Sequence, residues 1–190
     1  MSFESLVLQN RSYRAFDKGA PISKEVMLSL VDLARQAGSG MNKQPLCYRI
    51  LSSAEEIKTM LGNCRFATKL GLSLPPVGKE PTGFILIFID REVGSPQSLA
   101  LKDAGIAAQT ILLAAVEQGF GGCMLGSFDP QTLLADFRIS DRYEPVLAIA
   151  LGKPAEQVSL VSPRDGSLDY YRDEQGVHCV PKRTLDDILI

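Results

Sequence analysis

Arg11-Ser12-Tyr13-Arg14 sets two guanidinium groups around a serine hydroxyl just after a short helical stretch. Guanidinium forks match phosphate oxygens in pairs, and a hydroxyl adds a neutral donor, so this group could hold an anionic head. A second basic pair, Lys182-Arg183, stands near the other end of the chain. Taken alone, either pair reads first as solvated surface charge, and spacing does not show that the two meet. Between them, Gly38-Ser39-Gly40-Met41-Asn42-Lys43-Gln44-Pro45 is dense in backbone donors, small residues and amides. It reads as a helix stop with a turn, or as a loop laid against a ligand. Gly119 to Ser127 reads as a tight turn feeding a core strand.

Several other chemistries lack their residues. His178 is the only histidine, so no site can rest on a histidine pair. We expect it on a solvent-facing loop. Cys47, Cys64, Cys123 and Cys179 are far apart in sequence and do not have zinc-ligand spacing. No Gly-x-Ser-x-Gly elbow or Gly-x-x-x-x-Gly-Lys-Ser/Thr phosphate loop is present. Gly119-Phe120-Gly121 begins like a dinucleotide fingerprint, but Met124 occupies the third glycine position. It also follows a helix and leads into a strand, the reverse of the Rossmann order.

The elements that must position these groups follow from periodicity and caps. Phe3 to Asn10 reads as a short helix, and Ser23 as the N-cap of a helix from Lys24 to about Gln36. Leu46 to Ser52 alternates like a strand, and Ser53-Ala54-Glu55-Glu56 has capping-box spacing for a helix to about Leu61. Residues 63–81 read as a loop or lid. Gly83 to Asp90 is a continuous apolar run, the pattern of a strand covered on both faces. Gly121 to Gly126 and Glu144 to Leu151 read as strands. Asp129-Pro130 opens a helix to Phe137. The segment to Pro181 reads as loop-rich, with a short element over Thr184 to Ile188.

Leu99 to Val116 carries apolar or small residues on nearly every helical face, so we expect it buried in a core or between subunits. We also expect it to be too short and interrupted for a bilayer, which needs about 20 apolar residues. The chain has 190 residues, 45% apolar and 22% charged, which suits one soluble domain spanning 1–190. A net charge of −2 gives no electrostatic support for nucleic-acid or anionic-membrane binding. The scattered cysteines and the absence of a signal-type N-terminus lead us to expect a cytoplasmic protein.

Taken in order, these segments resemble the FMN-dependent nitroreductase family. They are Arg11-Ser12-Tyr13-Arg14-Ala15-Phe16, Ser39 through Pro45, Asp103-x-Gly105-x-Ala107-x-Gln109 running to Gly119-x-Gly121, Gly152-Lys153-Pro154, and Lys182-Arg183. The resemblance implies an α+β fold with a mostly antiparallel sheet around a long central helix. It also implies an intertwined homodimer with FMN sites at the interface. By position, Arg11, Ser12, Lys182 and Arg183 look like phosphate-end residues, with Arg14 at the phosphate or the ring. Ser39, Gly40, Asn42 and Gln44 look like a loop lent to the partner's flavin. Met124, Leu125, Gly126 and Ser127 match the segment beside the isoalloxazine ring.

The implied activity passes reducing equivalents from NADH or NADPH through FMN to nitroaromatic, quinone or similar electron-poor small molecules, with no essential side-chain acid or base. Two alternatives stand beside it: a flavin-binding or storage protein without turnover, and a specialised FMN enzyme such as a dehydrogenase, dehalogenase or flavin-fragmenting enzyme. The chain departs from the pattern at Leu46, where a bulky aromatic is common, at Gly38-Ser39-Gly40, and at Thr110 in place of asparagine. These differences concern the pocket wall rather than the fold.

Overall fold

The computed structural model describes residues 1–67 and 71–190. Part of the 63–81 segment expected to be a loop or lid therefore lies outside the described residues. In chain order the elements begin with α1 (Phe3–Gln9), β1 (Phe16–Asp17), α2 (Lys24–Ala34), β2 (Leu46–Leu51), α3 (Ala54–Asn63) and β3 (Gly83–Asp90). There follow α4 (Gln97–Glu117), β4 (Gly121–Leu125), α5 (Pro130–Asp136), β5 (Tyr143–Pro154), β6 (Val158–Val161), β7 (Tyr171–Arg172) and β8 (His178–Pro181). Side-chain caps open the helices where expected. Ser23 accepts from the Val26 N–H, and Asp129 accepts from the Thr132 N–H ahead of Pro130. Ser53 and Glu56 form a reciprocal capping box.

The main sheet is antiparallel, with order β1-β5-β3-β2 and β4 added to β5. All eight residues of β3 are buried, because helices cover both faces of the sheet. Ile85 and Ile87 point toward α4 and α2, where they meet Ala107, Ala108, Ile111 and Leu30. Phe84, Leu86 and Phe88 point the other way, toward Met60 of α3 and Leu133 of α5. A strand with period-two side chains between two helical layers must be apolar at every position, which accounts for the unbroken run. The fold is α+β, as the resemblance implied.

One expectation stands in part and two need correction. First, α4 is buried along most of its length, with Ala104, Ala107, Ala108 and Ala115 letting the sheet and α2 approach closely. One stripe nevertheless remains open in the single chain: Leu101 is 49% and Ile106 46% exposed. Secondly, its 21 residues are long and apolar enough to cross a membrane by length and composition, so the argument from length fails. Packing places it in the core instead. Thirdly, the stretch before Pro181 is not merely loop. It forms a second sheet, β6-β8-β7, in which β6 and β8 pair in parallel. His178 lies at the start of its central strand and is 1% exposed, so it is a core residue and not a loop residue. The stretch from Thr184 to Ile188 makes turns only, closed by hydrogen bonds between Thr184 and Asp187.

Candidate functional site

The segment after α1 cannot drift from the sheet, because the Tyr13 N–H donates to the Gly122 carbonyl and Ser12 bridges to Gly122 in parallel. Residue 122 must be glycine because of its neighbours on β5 and α4. A Cβ there would come within 2.4 Å of the Ala150 carbonyl oxygen. The pairing lays Arg11, Ser12 and Arg14 along the edge of β4. The second sheet approaches from the other end of the chain and brings His178, Val180 and Lys182 to the same place. The result is a cavity of about 310 Å³ lined by Arg11, Ser12, Arg14 and Lys182 together with Asn10, Tyr170 and His178.

The two chain ends therefore meet, and three cations face one small space. Arg11 donates through Nη2 to the Val7 carbonyl (2.6 Å), while its Nε is buried without a partner. Arg14 donates through Nη1 to the Ser12 carbonyl (3.2 Å) and lies 3.1 Å from His178 Nε2, with its guanidinium 5.4 Å from the centre of the Tyr170 ring. Its Nε, like the Nδ1 of His178, is also buried without a partner. Unsatisfied buried donors are costly, and a cluster of them around a cationic cavity is what a bound anion would relieve. Burial, and then the charge of Arg14, hold the His178 pKa below its ordinary value.

Behind this wall Glu156 ties the two sheets together. One oxygen accepts from the backbone N–H groups of Arg14 and Ala15, and the other accepts from Arg172 Nη2 at 2.5 Å. Its charge is thereby committed to these groups and does not cancel the cavity's. Cys123 packs beside Ser12 and Arg14, where burial pushes its thiol pKa up, so it is a packing residue in a protonated state.

The loop expected to serve a partner's flavin is elsewhere. Asp103, a buried acid on the apolar helix, accepts from the Ser39 hydroxyl (2.7 Å) and the Gly40 N–H (2.9 Å). Ser39 Oγ in turn accepts from the Gln44 N–H at 2.9 Å. Between these anchors Met41, Asn42 and Gln44 adopt positive φ of 54°, 51° and 50°. The Gln44 amide folds back onto Asn42 Oδ1 (3.2 Å). Ser39 and Gln44 line a separate cleft of about 160 Å³ with Tyr48 and Asp103. Asn10 reaches Gln109 on the same helix (3.4 Å), six residues beyond Asp103 or about 9 Å along the axis. Among the described residues, none lines both clefts.

The remaining expected residues divide. Met124 and Leu125 end β4; Met124 is half-exposed and Leu125 buried. Gly126 and Ser127 follow it, with the Ser127 carbonyl accepting from the Arg65 N–H. Arg183 does not line the cationic cavity. It turns into the terminal segment, where Nη1 donates to the Asp187 carbonyl at 3.4 Å. Sequence reading missed Asn10, Tyr170, Glu156 and the anchoring role of Asp103, and it misplaced His178. For two of these a signal existed: Asp103 is an acid in a run of alanines, and His178 stands among Val177, Cys179 and Val180.

The model of the nitroreductase family matches residues 7–70 and 72–153. The chain belongs to the nitroreductase family. Among curated proteins, this nitroreductase-family chain is 30% identical over 177 residues to a Bacillus subtilis protein named "Putative NAD(P)H nitroreductase YodC", covering 77% of this chain and 88% of that one. Two solved structures share its fold. One, a "putative nitroreductase in complex with FMN" from Desulfovibrio desulfuricans, has a TM-score of 0.73 at 24% identity, covering 98% and 94% of the two chains. The other, CLA-ER, titled as a gut-bacterial enone reductase, has a TM-score of 0.71 at 17% identity, covering 86% and 93%. The family match ends at residue 153, so the second sheet with His178 and Lys182 lies beyond it.

Proposed function

We propose that this chain is an FMN-dependent oxidoreductase that takes reducing equivalents from NADH or NADPH and delivers them to electron-poor small molecules such as nitroaromatics and quinones. The observation that carries the reading is the cavity where Arg11, Ser12 and Lys182 converge from opposite ends of the chain. The orphaned Nε atoms of Arg11 and Arg14 mark it as a place for an anion. Family membership supports the same reading, as does the name of the B. subtilis relative.

Arg11, Ser12 and Lys182 would hold the FMN phosphate. Arg14 would stand at the phosphate or the ring, and Met124, Leu125, Gly126 and Ser127 would flank the ring. Arg183 would act only through the field of its charge. When bound, FMN supplies two-electron chemistry at its N5, which these side chains do not have. The chain's task is then to orient, to favour negative charge through Arg11, Arg14 and Lys182, and to exclude water.

The loop of Ser39, Gly40, Asn42 and Gln44 lies away from its own chain's cationic cavity, which supports a homodimer in which each loop completes the partner's site. Phe3 (72% exposed) and Leu8 (54%) on α1 join Leu101 and Ile106 of α4 as apolar surface for such a partner to cover. All four cysteines are free, in keeping with a cytoplasmic setting. The test is the visible spectrum of protein incubated with FMN and desalted, followed by anaerobic addition of NADH or NADPH. Retained flavin bands that bleach with either nucleotide support the reading. Loss of flavin on desalting overturns the cofactor, and retained flavin that neither nucleotide bleaches overturns the turnover.

A further inference from the structure

Arg14 is placed unusually for a cation at the wall of an anion cavity. Its guanidinium has three neighbours of note: the Ser12 carbonyl, the Tyr170 ring, and the imidazole of His178. The first two sit on connecting segments. The third is fixed, because His178 lies on β8, between β6 (register Val158↔His178) and β7 (register Arg172↔His178). Its ring also packs edge-on against Tyr170, 5.3 Å between centroids at 61°.

A guanidinium can only donate, so a 3.1 Å contact between Arg14 Nη1 and His178 Nε2 requires a lone pair on that nitrogen. The ring is then neutral, with its proton on Nδ1. The charged groups around it agree: Arg14 and Arg172 oppose a further positive charge, Lys182 and Arg11 share the cavity, and Glu156 is already engaged by Arg172 and two backbone donors.

We propose that His178 is the positioning residue for Arg14: its neutral imidazole, held on the central strand of the second sheet, fixes the guanidinium at the wall of the anion cavity before the phosphate-bearing cofactor arrives. The inference rests on the FMN reading. An arginine side chain otherwise loses substantial rotamer freedom on binding, and an acceptor that restrains it beforehand removes part of that cost. His178 does this through its contact with Arg14 and does not itself need to touch the ligand.

The test is a double-mutant cycle on FMN affinity, read by quenching of flavin fluorescence in the full-length protein, with thermal melts to confirm folding. Arg14→Ala weakens FMN binding about tenfold or more, the usual scale for losing a charge-assisted contact. His178→Leu weakens it roughly threefold to tenfold in the wild-type background and has no further effect in the Arg14→Ala background. His178→Gln, whose amide oxygen reaches the Nε2 position, keeps near wild-type affinity. His178→Asn, whose shorter amide does not reach it, behaves like leucine and replaces it should His178→Leu not fold.

Equal losses from the histidine substitutions with and without Arg14, or wild-type affinity in a folded His178→Leu or His178→Asn protein, overturn the proposal while leaving the FMN reading intact. Wild-type protein that binds no FMN removes both, and so is told apart from failure of the cycle.

Discussion

Asp103→Ala is the substitution from which most can be learned, because the carboxylate works against a strained loop. Its two hydrogen bonds, to the Ser39 hydroxyl and the Gly40 N–H, are charge-assisted and short. Each is worth about 1.5–3 kcal/mol, and since they share one carboxylate their joint loss is taken as about 3 kcal/mol. Across the loop, three non-glycine residues sit at positive φ, each costing on the order of 1 kcal/mol. The carboxylate therefore offsets a strain of its own size, and without it the closed loop loses its advantage. An opening equilibrium displaced by about 3 kcal/mol is a change of about 150-fold.

Lys43 lies inside the loop and supplies a tryptic site. When opening and closing are fast relative to cleavage, cutting tracks the open population. Tryptic cleavage after Lys43 should accelerate by about two orders of magnitude in Asp103→Ala and by less in Asp103→Asn, which keeps one acceptor oxygen. The melting temperature should move less than this implies, because the variant also removes a buried charge. Cleavage after Lys43 within threefold of wild type, in a folded variant, would refute the anchoring role.

Three further outcomes follow. Arg11→Ala should weaken FMN binding by about 10–150-fold, from the loss of one charge-assisted contact of about 1.5–3 kcal/mol, and an unchanged fluorescence titration would count against the phosphate assignment. Gly122→Ala forces a Cβ against the Ala150 carbonyl and Leu112. It should cost about 3 kcal/mol or more and lower Tm by roughly 6–12 °C, with an unaltered calorimetric melt as the contrary result. His178 has a folded-state pKa below 6.5, so the folded chain binds fewer protons there than the unfolded one. Its stabilising contribution is present above pH 6.5 and is lost as the pH falls through the folded pKa. Wild-type Tm should therefore drop more steeply between pH 7 and 5 than that of His178→Gln, and parallel profiles would contradict this.

What the residues disclose on their own depends on how local the cause is. The run Gly83 to Asp90 declared a doubly covered strand because both its faces are apolar. Ser23, Ser53 and Asp129 marked helix starts because capping is a contact within three residues. The cationic pairs at both ends suggested one site through family likeness, and only the tertiary fold brings Lys182 to Arg11. The second sheet escaped notice because β7 has two residues and β6 and β8 four each, too short for periodicity to speak. Glu156 gave no local hint, since its partners Arg14 and Ala15 are more than 140 residues away. The sequence left core and subunit interface as alternatives for α4, because the buried centre of an interface and a core have similar compositions.

The convergence of both chain ends on one cavity has a consequence for truncated chains. The main sheet and α4 are complete by Pro154, whereas His178 and Lys182 of the cavity wall come later in the chain. A chain cut short after β5 keeps Arg11, Ser12 and Arg14 but lacks Lys182 and the His178 imidazole that meets Arg14. On the FMN reading, such a chain should hold flavin more weakly than the 190-residue chain, so colour retained on desalting would test the second sheet's part in the site.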